Sequence, residues 1–149
     1  MSTIEVSARG AVSAPAAVVY GWLADYAQHH HQFLPDAFSD YNVEVGGVGT
    51  GTLVAFTVTA GGRSRPYKMA VTEPEPGRVL READTGSSLV TTFTVTPEGS
   101  GSTVGITTTW TGAGGIGGFF ERRFAPGAMK KIYEDELRRI EAYAQAQAA

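Results

Sequence analysis

Two acidic side chains, Glu82 and Asp84, stand two residues apart in a segment with strand character, Val79 to Asp84. Side chains alternate along a strand, so both carboxyls share one face, with Cα atoms roughly 6.5 Å apart. A buried carboxyl has a raised pKa and can act as a general acid or base. The other phase of the strand turns Arg81 inward, and neither phase is cleanly apolar. The sequence therefore predicts one polar anchor for a ligand, Glu82 or Arg81, or else an ordinary solvent-facing edge.

The three histidines are consecutive, His29 to His31. Neighbouring side chains diverge on a helix and alternate on a strand, so these three do not converge on one metal ion as i,i+3 or i,i+4 pairs do. No metal site is predicted. One of them, near Phe33 and Asp36, has a place at the mouth of a cavity and would titrate near neutral pH there, although a solvated loop is the simpler interpretation.

Residues 112 to 117 read Gly-Ala-Gly-Gly-Ile-Gly and match the dinucleotide pattern G-x-G-x-x-G. That pattern binds a cofactor inside a strand–helix–strand unit of a parallel sheet. Here hairpin-linked strands precede it and one helix follows it to the end of the chain, so nucleotide binding is excluded. The glycines are interpreted as a flexible lead into the last helix. No cofactor is predicted.

Composition limits the partners. The chain has 149 residues, about the length of one domain. It has 12 basic and 15 acidic side chains. Because neither sign forms a large block, we do not expect nucleic acid as a partner. There is no cysteine. The longest apolar stretch, 14–24, contains Pro15 and Gly21 and is about half of a membrane span. We expect a cytoplasmic protein without stable membrane insertion.

Alternating apolar and polar residues predict seven strands, which cover 4–12, 41–45, 53–59, 65–72, 79–84, 89–96 and 103–110. Short glycine-containing turns join the last six, which makes them an antiparallel meander. A helix of about three turns follows Pro15, and 28–35 is a helical turn or loop. A closing helix carries one apolar stripe, which consists of Met129, Ile132, Tyr133, Leu137, Ile140 and Ala144. Pro126-Gly127 is expected to kink or break that helix.

The predicted fold class is α+β, with a seven-stranded sheet covered by the C-terminal helix. A straight helix meets a strongly twisted sheet along only part of its length. The remaining space must be filled by side chains or by something else.

The chain resembles the START-like, helix-grip superfamily (SRPBCC, Bet v 1-like), which includes polyketide cyclase/dehydrase-like proteins. The resemblance rests on Ala14-Pro15 before a helix with Val18, Trp22 and Asp25, on the Pro76-Gly77-Arg78 hairpin, on the glycine-rich turn before Thr103-Val104, and on the closing helix. It covers essentially all of 1–149 as a single domain. It implies a curved antiparallel sheet wrapped around a long C-terminal helix, a helical insert between strands 1 and 2, and a deep, mostly apolar cavity. It does not imply an activity.

Large apolar side chains are expected to line this cavity, and the alternative is that they pack together as a solid core. The expected lining consists of Phe56, Tyr67, Met69, Phe93, Trp110, Phe124, Met129 and Tyr133.

Three functions follow from this interpretation. Binding of a small hydrophobic or amphipathic ligand, for transport or sensing, comes first. A polyketide cyclase or dehydratase comes second, and it needs a positioned proton acceptor that no residue supplies compellingly. A protein-interaction module comes third, and it would expose an apolar patch. A homodimer is compatible with all three.

Overall fold

The strand alternation and the short glycine turns produce one sheet. A computed structural model describes residues 3–112 and 125–148. Within these residues the elements are β1 (Thr3–Val12), α1 (Ala16–Ala24), a 3₁₀ turn (His30–Phe33), β2 (Phe38–Val45), β3 (Leu53–Ala60), β4 (Arg63–Glu75), β5 (Val79–Asp84), β6 (Val90–Glu98), β7 (Gly101–Thr111) and α2 (Ala125–Ala148). None of the described helices is long and apolar enough to cross a bilayer.

The seven strands form a single antiparallel sheet in the order β1-β7-β6-β5-β4-β3-β2. Successive strands from β2 to β7 are neighbours, and β1 returns beside β7 with Val6 opposite Thr108. The helical insert, α1 and the 3₁₀ turn, runs between the two edges of the sheet. The predicted helix-grip α+β fold is therefore confirmed.

The core lies between the sheet and α2. The buried stripe of the helix consists of Tyr133, Leu137, Ile140 and Ala144, as predicted, whereas Met129 and Ile132 are only half-buried. Glu141, near the C-terminal end of α2, accepts hydrogen bonds from the backbone N–H and the hydroxyl of Ser13 at 2.7 and 2.6 Å. The C-terminal half of α2 is thus held more firmly than its first turns.

The predicted break at Pro126-Gly127 is wrong. The helix α2 begins at Ala125, so Pro126 stands in its first turn. An N–H there has no partner within the helix, and the fixed φ of proline suits the position. The rule that proline breaks helices applies only to helix interiors.

A carboxylate attaches α1 to the sheet. Glu73 of β4 accepts a hydrogen bond from the Tyr20 hydroxyl at 2.7 Å and another from the Thr50 backbone N–H at 2.9 Å. Gly49 has φ +66°, and a Cβ built there would lie 2.5 Å from Glu73 Oε1. Glycine at 49 therefore lets the β2–β3 connection approach this carboxylate.

We expect Gly49→Ala to destabilise the protein more than Gly99→Ala does. Gly99 has φ +60° and open space where a Cβ would be, so both substitutions carry the same backbone strain, about 1–2 kcal/mol. Only Gly49→Ala also disturbs the Glu73 hydrogen bonds, which adds about 1–3 kcal/mol. Urea unfolding of the two variants measures the difference, and equal losses would contradict the role of Glu73.

Candidate functional site

A cavity lies between the concave face of the sheet and α2. Its volume, measured as the space open to the centre of a water molecule, is about 30 Å³, which is room for about two waters. Most of the lining is aromatic or aliphatic. It consists of Tyr26, His30, Leu34, Phe38, Tyr41, Phe56, Val58, Tyr67, Met69, Glu82, Leu89, Thr91, Phe93, Met129, Tyr133 and Glu136. The interior is neither packed solid nor, as it stands, deep.

Six of the predicted lining residues lie on this cavity, namely Phe56, Tyr67, Met69, Phe93, Met129 and Tyr133. Trp110 lies instead on an adjoining open groove, together with Arg63, Arg65, Ser87 and Ser88. Cavity and groove share Val58, Tyr67, Leu89 and Met129, so the two spaces adjoin. Phe124 lies outside the described residues.

The face of β5 that carries Glu82 is turned toward the cavity. Leu80 and Glu82 are buried, and Arg81 is exposed on the other face and does not line the cavity. Asp84 accepts hydrogen bonds from the Ser87 hydroxyl at 2.6 Å and the Lys68 backbone N–H at 3.1 Å in the neighbouring turn. Glu82 is therefore the inward charged residue of this strand, and Asp84 does not join it.

Glu82 is 4% exposed and has two polar neighbours from the helical insert. The Tyr26 hydroxyl donates to Glu82 Oε2 at 2.5 Å, and His30 Nε2 lies 3.8 Å from the same oxygen. Burial raises the pKa of Glu82 to about 7, against the opposing effect of the Tyr26 hydrogen bond. This carboxyl can hold or release a proton at neutral pH.

His30 is buried, so the expectation of a solvated loop is wrong for this residue. Its Nδ1–H donates to the Leu23 carbonyl at 2.7 Å, which leaves the Nε2 lone pair toward Glu82. Burial lowers the pKa of His30 to about 4, although the Leu23 hydrogen bond acts in the other direction. The ring is therefore neutral at pH 7 and does not titrate there.

Sequence reasoning missed Glu136, which is 1% exposed on α2 and lines the cavity. Its Oε2 has no hydrogen-bond partner among the described residues. Burial, reinforced by the charges of Glu82 and Asp135, raises the pKa of Glu136 well above the usual 4.5. The signal was in the spacing, because position 136 lies three residues after Tyr133 and four before Ile140, on the apolar stripe.

A buried set of hydroxyls completes the polar lining. Thr108 bonds to the Tyr133 hydroxyl and, at 2.7 Å, to the Thr91 hydroxyl. Burial raises the pKa of Tyr133, so this ring stays neutral. Tyr41 donates to the Tyr26 backbone carbonyl at 2.7 Å.

The arrangement is an apolar chamber that holds two carboxyls. Among residues 3–112 and 125–148, neither lysine nor arginine lines it, and these residues contain no cluster of three metal-ligating side chains. Such a site can bind an apolar molecule, exchange a proton with it, or accept hydrogen bonds from it.

Comparisons with known proteins agree with this architecture. The model of the family described as polyketide cyclase / dehydrase and lipid transport matches residues 3–145. The chain is similar to the KanY protein, solved by NMR, with 34% identity, a TM-score of 0.86, and coverage of 97% of this chain and 99% of that chain. No curated protein matches the sequence.

Two more distant structures share the fold. The Zhui aromatase/cyclase from Streptomyces sp. R1128 is 16% identical with a TM-score of 0.78, and the alignment covers 99% of this chain and 97% of that chain. The protein TTHA0849 from Thermus thermophilus is 20% identical with a TM-score of 0.80, and the alignment covers 98% of this chain and 100% of that chain.

We expect Glu82→Gln to reduce the pH dependence of stability, while the raised pKa of Glu136 continues to contribute a loss of the same sign. The pKa of Glu82 is raised from 4.5 to about 7 by folding, so the folded state binds more protons and the free energy of unfolding falls as pH rises between these values. At 1.36 kcal/mol per unit the loss is about 3 kcal/mol. Urea unfolding at several pH values measures it.

Glu134→Gln, at an exposed position of α2, is the control and should behave like the wild type. The lowered pKa of His30 acts in the opposite direction below pH 6.5, but it is present in all three proteins and cancels in the comparison. If wild type and Glu82→Gln lose stability in parallel up to pH 7, the buried Glu82 carboxyl is not the group that titrates.

Proposed function

The chain belongs to the polyketide cyclase / dehydrase and lipid transport family, and we propose that it binds one small, largely apolar ligand between the sheet and α2. The observation that carries this proposal is the aromatic and aliphatic chamber, which is not filled by side chains and which adjoins the groove. Ligand sites have this character, an apolar lining with a few placed polar groups.

The inner cavity is too small for a whole ligand of drug-like size. A ligand would place one end in the cavity and the rest in the groove, across the residues that the two share. Met129 stands at this junction in the half-buried first part of α2, and an unbranched thioether side chain adapts to a guest. Burying about 200 Å² of apolar ligand surface contributes about 5 kcal/mol, before the cost of association.

A second candidate function is acid–base catalysis of the cyclase or dehydratase type. The carboxyl of Glu82, with a pKa near 7, faces the cavity and favours it. In that role Glu82 would take a proton from carbon or give one to a leaving hydroxyl, while the Tyr26 hydrogen bond fixes its orientation. The likeness to an aromatase/cyclase at 16% identity supports the fold alone.

The described surface gives the interaction-module alternative little support. The large apolar side chains exposed there are Val18, Val45 and Val48. A docking patch of several hundred Å² needs more apolar area than three valines present. A homodimer, a cytoplasmic location and a role in transport or sensing stay predictions.

We expect the neutral probe N-phenyl-1-naphthylamine to bind at one saturable site. Met129→Trp should weaken this binding about tenfold or more, because the indole fills the junction between cavity and groove. Lys130→Trp adds the same ring to the exposed face and should bind like the wild type. Probe fluorescence measures both, and non-saturable binding, or equal affinity in Met129→Trp, would contradict the site.

The catalytic candidate has its own test. Benzoylacetone exchanges its α-protons with deuterated water, and NMR follows the rate. If Glu82 acts as a base, the wild type should accelerate this exchange about 100-fold or more over buffer, and Glu82→Gln should lose most of that acceleration, whereas Glu134→Gln should keep it. Equal rates with and without the protein would exclude proton transfer on this class of ketone.

A further inference from the structure

We propose that the ligand is a lipophilic primary amine, bound as its ammonium ion with the charged head against the Glu82 and Glu136 carboxyls and the apolar body in the groove. The proposal rests on the proposed function, because it assigns a ligand class to that same cavity. It is carried by Glu136 Oε2, which has no partner among the described residues, by the acidic side chains of the chamber and by the size of the chamber.

Glu136 has a buried carboxyl oxygen without a hydrogen-bond partner among the described residues. A buried acceptor without a partner costs free energy, about 1–3 kcal/mol and more for a charged group. Every such group in a native protein needs an explanation. Glu136 Oε2 lacks a partner among the described residues, and the residue lines the cavity, so a hydrogen-bond donor placed in the cavity would satisfy it.

The ionisable side chains around the cavity favour a cationic ligand. Within the described part of the chain, its lining contains two acids and neither lysine nor arginine. Three of the protein's own donors are already engaged, because Tyr26 donates to Glu82, Tyr41 to a backbone carbonyl, and His30 through Nδ1 to the Leu23 carbonyl. Among the described residues the lining supplies no cation for these carboxyls, and an ammonium group would supply one, with three donors and no acceptor.

The size of the cavity and the aromatic rings that line it favour a small cationic head group. A volume of about 30 Å³, room for about two waters, suits a small head group. A primary ammonium therefore fits more easily than the bulkier trimethylammonium. Aromatic rings, which include Tyr26, Phe56 and Phe93, line the chamber, and their faces attract a cation. The apolar body would then lie along Leu89 and Trp110 in the groove.

The proposal predicts how the affinity for the amine depends on pH. Burial raises the pKa of both carboxyls, that of Glu82 to about 7. An ammonium ion binds a carboxylate, so amine binding releases a proton to solvent wherever Glu82 is still protonated. Affinity for the amine should therefore rise between pH 6 and pH 8, by up to about tenfold per pH unit for one released proton.

One histidine and three tyrosines that also line the cavity do not change charge in this range. The histidine His30 has its pKa lowered to about 4, and burial raises the pKa of the tyrosines Tyr26, Tyr41 and Tyr133. A neutral ligand that accepts a hydrogen bond from a protonated carboxyl would show the opposite slope, with affinity falling as pH rises.

The experiment compares three probes with one phenylpropyl body, 3-phenylpropylamine, 3-phenyl-1-propanol and trimethyl(3-phenylpropyl)ammonium, by calorimetry at pH 6, 7 and 8. We expect the primary amine to bind about 30-fold or more tightly than the alcohol at pH 8, to exceed the quaternary ion by a similar factor, and to gain affinity with pH. These comparisons use the wild-type protein alone.

Two variants locate the effect. Glu136→Gln and Glu82→Gln should each reduce amine affinity about 30-fold or more and change alcohol affinity by only about two- to threefold. Glu134→Gln, two residues along α2 and exposed, should keep the amine preference. Circular dichroism establishes that each variant is folded, and the wild-type ratios decide the question if one is not.

Alcohol affinity equal to or greater than amine affinity, or amine affinity that falls with pH, overturns this inference and leaves the proposed function standing. An amine preference that persists in both Glu136→Gln and Glu82→Gln also overturns it. If N-phenyl-1-naphthylamine and all three phenylpropyl probes fail to bind, the proposed function fails together with the inference.

Discussion

The stability of the interior depends on how its buried ionisable groups avoid the free-energy cost of an unpaired charge. Burying a charge between a sheet and a helix is expensive unless the group is paired or neutral. Glu82 accepts a hydrogen bond from the Tyr26 hydroxyl, and its pKa near 7 allows it to become neutral. His30 donates a hydrogen bond to the Leu23 carbonyl, and its lowered pKa keeps the ring uncharged. Glu136 has a raised pKa as well, but its Oε2 has no hydrogen-bond partner among the described residues. An incompletely satisfied polar group in an otherwise apolar chamber distinguishes a binding site from a core.

The helical insert does more than cover the sheet. It brings Tyr26 and His30 to a carboxyl that is more than fifty residues away in sequence. The contacts that fix the insert include the Tyr20–Glu73 hydrogen bond to β4 and the backbone hydrogen bonds that join Ala24 to Gly49 and Ala27 to Gly47. The electrostatics of the cavity therefore depend on hydrogen bonds that lie outside it. A change at Gly49 or Tyr20 would reach the site by displacing α1.

The sequence predicted the architecture because strand alternation, short glycine turns and the stripe of α2 are local signals that agree with one another. It did not predict the polar site. The segment Val79 to Asp84 has no clean apolar phase, a run of histidines is typical of a solvated turn, and a glutamate in an apolar stripe is easily assigned to the surface. Which polar side chain is buried depends on partners brought together by tertiary structure, and single-segment patterns do not contain them.

The unequal attachment of α2 has a mechanical consequence. Ser13 and Glu141 hold the far end of the helix, and Ile140 and Ala144 are buried in that half, while Met129 near its start is only half-buried. Outward bending of the first turns, before Tyr133, would leave the packing near the far end unchanged. If the protein binds a ligand as proposed, such bending would admit ligands of different lengths at nearly constant cost to the stability of the fold. Length would then discriminate weakly among ligands, and the chemistry of their inner end strongly.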